Sequence, residues 1–259
     1  MSLKNLIDIL PEEHLLRVAD NRPALVDWSK ICTQIRLPED FIESHENFID
    51  WNLVFTYQKL SGEFIERHKD KVDWKVISKC QTLSEEFVKK FKHLIDWHCV
   101  SKHQALSESF IERFADLVDW ETISKFQRLS ESFIEKHDDK ISYVTVSRYQ
   151  RLSEAFIERH KDQVDWFFIC ECQTLSEPFI ERHADRVDWP AISEAQRLSE
   201  WFIDKHADKV EWHRISQHQV LSEAFVERHK NRVFWVNIFE YQENLSREFK
   251  ERYKKLLEF

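Results

Sequence analysis

Hydrophobic positions recur along the chain with a period of 23 residues. Trp28, Trp51, Trp74, Trp97, Trp120, Trp166, Trp189, Trp212 and Trp235 fall on one grid, and Tyr143 fills the vacant slot. Val or Ile stands two residues before each ring, from Val26 to Val233, and an aliphatic stands three after, from Ile31 to Ile238. Gln follows seven after in nine consecutive units, Gln58 to Gln242. Leu and Ser come next, as in Leu83-Ser84, and Phe lies four beyond that Leu, as in Phe87. Self-similarity at a fixed short period marks a repeat array.

Each unit reads as two short helices. Ser84 is a natural N-cap, with Glu85 and Glu86 in the first turn where the helix dipole favours negative charge. Leu83 and Val88 flank that cap as a hydrophobic staple, and Val72 and Ile77 do the same around a second cap, Asp73. With almost no glycine available, the first helix is expected to stop at Asn47, Asp70, His93, Asp116, Asp139, Asp162, Asp185, Asp208 or Asn231. Those residue types best accept the left-handed conformation of a C′ position. The spacing predicts helices of about ten and about eight residues joined by a tight corner.

Helices this short do not persist alone in water. Six apolar columns per unit (Leu, Phe, Ile, Val, Trp, Ile) have only neighbouring units to pack on, and burying each side chain is worth roughly 1.5–3 kcal/mol. The expected fold is therefore all-α, an αα-solenoid of about ten two-helix repeats, right-angled or superhelical, in a single domain over residues 1–259. Residues 1–25 form an N-terminal cap or divergent first repeat, with Leu10-Pro11 in the Leu-Ser slot. Regular repeats occupy 26–244, and a Lys- and Arg-rich closing helix occupies 245–259.

Composition narrows the class further. One glycine and five prolines leave little material for strand turns or phosphate loops. The 38 basic and 47 acidic residues give a net charge of -9, which argues against general coating of nucleic acid. Cys32, Cys80, Cys99, Cys170 and Cys172 are odd in number and irregular in spacing, as expected of reduced thiols inside a cell. The opening MSLKNLIDILPEEH has no apolar leader, and no long apolar run predicts a membrane span.

Written LSExFIERHxDxVDWxxISxxQ, the units resemble a short α-helical repeat of giant DNA virus proteins, Marseillevirus-like ones especially, from about residue 26 to residue 250. The resemblance implies a viral protein of the host cytoplasm or nucleus and carries no active site. The array is also similar to tetratricopeptide and other helical repeats at a shorter period. LPEEHLLRVAD, residues 10–20, is similar to the opening helix of an F-box, but Trp28 already lies on the grid, so a divergent first repeat fits better.

Several columns invite a functional reading. His45, His68, His137, His160, His183, His206 and His229 share one slot with Phe91 and Phe114. Stacked equivalents lie roughly 8–10 Å apart, too far to share a zinc ion with bonds of about 2.0–2.1 Å, so a flat ring at a packed seam is expected. Seven imidazoles charging together near pH 6 would make stacking pH-sensitive. The Gln column is expected to satisfy loose backbone groups, and the Glu-Arg columns to form solvated cross-repeat ion pairs. Cys170-x-Cys172 lacks a second pair of ligands and reads as core or semi-buried thiols.

Lapses from the consensus point to binding. The slot five after each ring is basic at Lys79, Lys102, Lys125 and Arg148, then acidic at Glu171, Glu194 and Glu240; the slot eight after adds Lys59, Arg128, Arg151 and Arg197. Trp201 is the one tryptophan off the grid, and Phe167-Phe168 stand where other units hold Lys, His or Glu. Exposed aromatics are common anchors of protein interfaces. Neither a phosphate loop nor a hydrolase or metalloprotease motif is present, and no metal or cofactor is implied. The expected function is a non-enzymatic scaffold for a protein or peptide partner, with a nucleic-acid binder using the basic stripe as the alternative.

Overall fold

The computed structural model describes residues 11–254. Leu10, and residues 255–259 of the expected closing helix, lie outside the described residues. Among the described residues every regular element is helical, and the chain divides into two units, Met1–Gln127 and Arg128–Phe259. Each unit is an αα-solenoid built from the same pair of helices. In the first, a pair is Glu85–Lys90 followed by Trp97–His103; in the second, Glu154–Arg159 followed by Trp166–Cys172. The Trp-led helices pack closely on one another from repeat to repeat within a unit, and the Ser-capped helices form a second, looser layer. The divergent start is a ten-residue helix, Glu12–Asn21, and a 3₁₀ turn, Pro23–Leu25, whose Pro23 carbonyl accepts the Trp28 indole N–H at 2.9 Å.

The caps stand where the sequence places them. Ser84 Oγ accepts the Phe87 N–H, and Asp73 accepts the N–H groups of Lys75 and Val76. The helices, however, are six and seven residues long rather than about ten and eight. The reason is the corner. The expected left-handed residues at Asp70, His93, Asp116 and their equivalents are not observed, and no described residue has a positive φ. The first helix instead ends at the ring-bearing column, as at Phe91 with φ -105 and ψ 22. The chain then tightens: the Phe91 carbonyl accepts both the Leu94 N–H at 2.8 Å and the Ile95 N–H at 3.2 Å. A 3₁₀-like turn uses the open carbonyls without any strained residue, so glycine is not needed.

The apolar columns form the core. Ile31, Val54, Ile77, Val100 and Ile123 in the first unit, and Val146, Ile169, Ile192, Ile215 and Ile238 in the second, are closed to solvent. The indoles are half-buried. Trp97 lays one face against Phe110 and Phe114 of the next repeat, at ring distances of 6.5 and 5.3 Å, and its Nε1–H is held by the Lys92 carbonyl at 2.9 Å.

Polar ladders run beside the core. Gln104 Nε2 donates to the Ser78 and Gln81 carbonyls at 2.9 and 2.7 Å, and its Oε1 accepts the Leu83 N–H at 2.8 Å. Gln58, Gln81, Gln173, Gln196, Gln219 and Gln242 repeat that pattern on the repeat before them. A second ladder uses the buried serines: Ser78 Oγ donates to the Trp74 carbonyl at 2.7 Å and accepts the Asp96 N–H of the next repeat at 3.0 Å. A third joins first-turn glutamates to the next Ser cap, as where Glu85 accepts the Ser107 N–H at 2.6 Å. Gly62 interrupts this one, leaving the Ser84 N–H without a carboxylate beside an open hollow.

Two stability changes follow. Gln104→Leu keeps the volume but strands three buried backbone groups, and urea titration should show a loss of about 3 kcal/mol. Gly62→Glu restores the missing carboxylate and removes a flexible helical residue. A Cβ there meets Phe87 Cδ2 at 3.2 Å, so the Phe87 ring must give by a few tenths of an ångström. The same titration should show a gain of about 1 kcal/mol.

Candidate functional site

The outer face of the Ser-capped helices is occupied by internal ion pairs. Arg67 reaches Glu43 at 2.9 Å, Arg159 reaches Glu135 at 2.9 Å, and Lys205 reaches Glu181 at 3.0 Å, each bridging adjacent repeats as expected from the Glu and Arg columns. Such half-exposed pairs are each worth little. Trp201 stands on this face, 65% exposed, with Lys205 Nζ 5.1 Å from its ring.

The His column lies in the seam between layers. His183 sits 4.9 Å from the Trp166 ring and 4.6 Å from Phe179, and Phe91 takes the equivalent place 5.0 Å from Trp74. The flat-ring reading therefore holds. The sequence reading missed the partner: His183 Nε2 meets Glu158 Oε2 at 2.8 Å, His206 meets Glu181 at 2.8 Å, and His160 meets Glu135 at 3.0 Å. One carboxylate thus serves both an imidazole and a neighbouring cation. Hydrogen bonds from His183 and Lys161 hold the Glu158 carboxyl below its ordinary value, and His206 with Lys205 does the same to Glu181.

The cysteine pair points two ways. The buried Cys170 sulfur takes the place of a ladder serine and accepts the Asp188 N–H at 3.3 Å; burial pushes its thiol up to about 12. Cys172 is exposed, with its thiol directed at Glu171. Burial, then the Glu171 charge, raise it as well.

The outer face of the Trp-led helices is different. In the first unit Lys79 and Lys102 are exposed and make no ion pair, and Lys102 Nζ lies 5.1 Å from the Phe126 ring. Burial, then the charges of Lys102 and Lys79, push the His103 imidazole below its ordinary value. Lys125 does not join these free cations, because its ammonium is bonded to Glu121 one turn back.

In the second unit three of the sequence candidates come together. The Arg148 guanidinium lies 4.9 Å from the Phe168 ring, and Phe167 packs edge-on against Phe168 at 5.4 Å. Tyr149, not singled out from sequence, lies 5.2 Å from the same guanidinium. Val144, also missed, precedes Arg148 by one turn on the same helix face. Phe167 and Val144 are 49% exposed. Neighbouring repeats build this cluster, since Arg148 and Tyr149 end one Trp-led helix and Phe167 and Phe168 begin the next. Beyond it Glu171 makes no ion pair and faces only the Cys172 thiol, whereas Glu194 is tied to Arg214. The second signal that marks the site is the recurrence of aromatic residues in the slot six after the ring, at Tyr57, Phe126, Tyr149 and Tyr241.

Among the described residues no group of three or more His, Cys, Asp or Glu could hold a metal ion, and no helix is long and apolar enough to cross a membrane. Compared with protein-family profiles, curated proteins and solved structures, the chain matches none.

The depressed carboxylates fix one pH response. A folded value below the unfolded 4.5 adds stability that is present above 4.5 and lost as pH falls through the folded value. The thermal midpoint should fall as pH drops below 4.5. The fall should be shallower in high salt, which screens these exposed pairs, and shallower in Glu158→Gln.

Proposed function

We propose that the chain is a non-enzymatic interaction scaffold whose Trp-led helices bind a protein or peptide partner. One observation carries the reading: cations on the Ser-capped face are largely consumed by pairs between repeats, whereas Lys79, Lys102 and Arg148 on the Trp-led face have no carboxylate, and Lys102 and Arg148 lie near aromatic rings. Exposed charge and aromatic surface without an internal use is what a partner would employ. The repeated interior supports the non-enzymatic part of the reading. It lines up like groups, whereas catalysis needs unlike groups converging at one place.

A second reading has its own support in the first unit, where Lys79, Lys102, His103 and Phe126 combine positive charge with a ring. That combination also suits single-stranded nucleic acid.

Random-peptide display against the full chain tests the first reading. Selected peptides should lose about tenfold in affinity on Lys102→Glu or Phe168→Ala. They should be indifferent to Arg159→Ala on the opposite face. Peptides dependent only on the Ser-capped face, or no selection at all, would defeat it. An oligonucleotide affinity that falls steeply with salt and is abolished by Lys79→Glu would transfer the first unit to the second reading.

A further inference from the structure

Arg148 is the most constrained free cation described on the Trp-led face of the second unit. Tyr149 and Phe168 lie 5.2 and 4.9 Å from its guanidinium carbon, so two rings are in cation–π reach of the group. No carboxylate lies within ion-pair distance of it, and the same is true of Arg151, three residues on. An arginine stacked on aromatic rings keeps its N–H fork in plane, with little rotamer freedom left to lose when a ligand arrives. That fork matches a carboxylate, which it can hold through two parallel hydrogen bonds. Beside it the exposed side chains of Phe167 and Val144 offer apolar surface at the start of two successive Trp-led helices.

We infer that this cluster binds a linear peptide segment of a partner protein, with one Asp or Glu carboxylate on the Arg148 fork and a Phe, Leu or Ile beside it on Phe167 and Val144. The inference rests on the reading of the Trp-led face as the binding face. Charge decides between a peptide and a polyanion. The slot filled by Arg148 is filled in the next repeat by Glu171, whose carboxylate faces the Cys172 thiol and makes no ion pair. One negative charge is therefore welcomed and a second, one repeat further on, is repelled. A nucleic-acid strand carries a phosphate on every residue and would have to cross Glu171. A peptide with a single acid next to an apolar anchor does not.

The test is an array of short synthetic peptides in a Gly-Ser background, covering each ordering of one Asp with two apolar residues, and the matching set with Asn. Binding to the full chain is read by fluorescence anisotropy beside an oligodeoxythymidine. At least one ordering should bind about tenfold tighter with Asp than with Asn, the effect of one charge-assisted hydrogen bond pair. Arg148→Gln should abolish that preference without changing the helical circular dichroism or the thermal midpoint. Arg148→Lys should restore only part of it, because an ammonium cannot fork. No Asp preference in any ordering, or a preference that survives Arg148→Gln, overturns the inference. So does oligodeoxythymidine binding that Arg148→Gln abolishes, which would assign the cluster to nucleic acid. Displayed peptides that map to the Trp-led face but show no need for an acid would sink this inference alone, whereas the absence of any such peptides would sink the scaffold reading with it.

Discussion

A helix of six or seven residues closes few hydrogen bonds within itself and leaves most of its terminal N–H and C=O groups open. In this chain every second helix ends against the core, where water is scarce and an open carbonyl costs as much as a lost hydrogen bond. The glutamine column resolves this. An amide has two donors and an acceptor on one flat group, and Gln104 uses all three on a neighbouring repeat, at Ser78, Gln81 and Leu83. Because each glutamine serves the previous repeat's last turn, repeats cannot separate without exposing or stranding those groups. Hydrophobic burial drives the stacking, and the amide sets its register.

That arrangement has a consequence for function. The serines, the first-turn glutamates and the histidines are similarly committed to neighbours: Ser78 to the next N-cap, Glu85 to the next Ser, His183 to the preceding carboxylate. Nearly every polar group that recurs in the repeat therefore has an internal use, even where its chemistry resembles that of a ligand site. The cations without an internal partner, Lys79, Lys102 and Arg148, stand instead on the outward turn of the Trp-led helices, which is why the proposed binding role falls there. Cys170 illustrates the rule from the other side. Its thiol substitutes for a ladder serine, and burial keeps it protonated.

The fold was largely legible because periodicity and capping are local in sequence. A strict grid of rings, Ser and Asp caps and paired staples are enough to define two helices per unit and the need to stack. The corner was misread for a physical reason. Asn and Asp tolerate the left-handed conformation, but tolerance is not demand, and a 3₁₀-like turn after Phe91 or His183 meets the same hydrogen-bonding need with ordinary backbone angles. The Glu85 and His183 partners were invisible because the columns that meet are separated by about a whole repeat, 22 and 25 residues. The candidate site was half legible: Arg148, Phe167 and Phe168 stood out as departures from consensus, whereas Tyr149 drew no notice and acquires its meaning only beside Arg148.

Repetition also explains why the cluster is singular. A slot that is cationic at Arg148 and acidic at Glu171 in the next repeat gives the face a direction. Lys102 over Phe126 uses the same device as Arg148 over Phe168, a cation from one helix end reaching the ring of the next repeat. The two differ in what completes them. Arg148 has a second ring and a fork, Lys102 a single ring and a point charge, and a planar guanidinium matches the geometry of a carboxylate as an ammonium does not. Identical bricks supply the spacing, and a few substitutions on their outer turn make one repeat chemically different from the next.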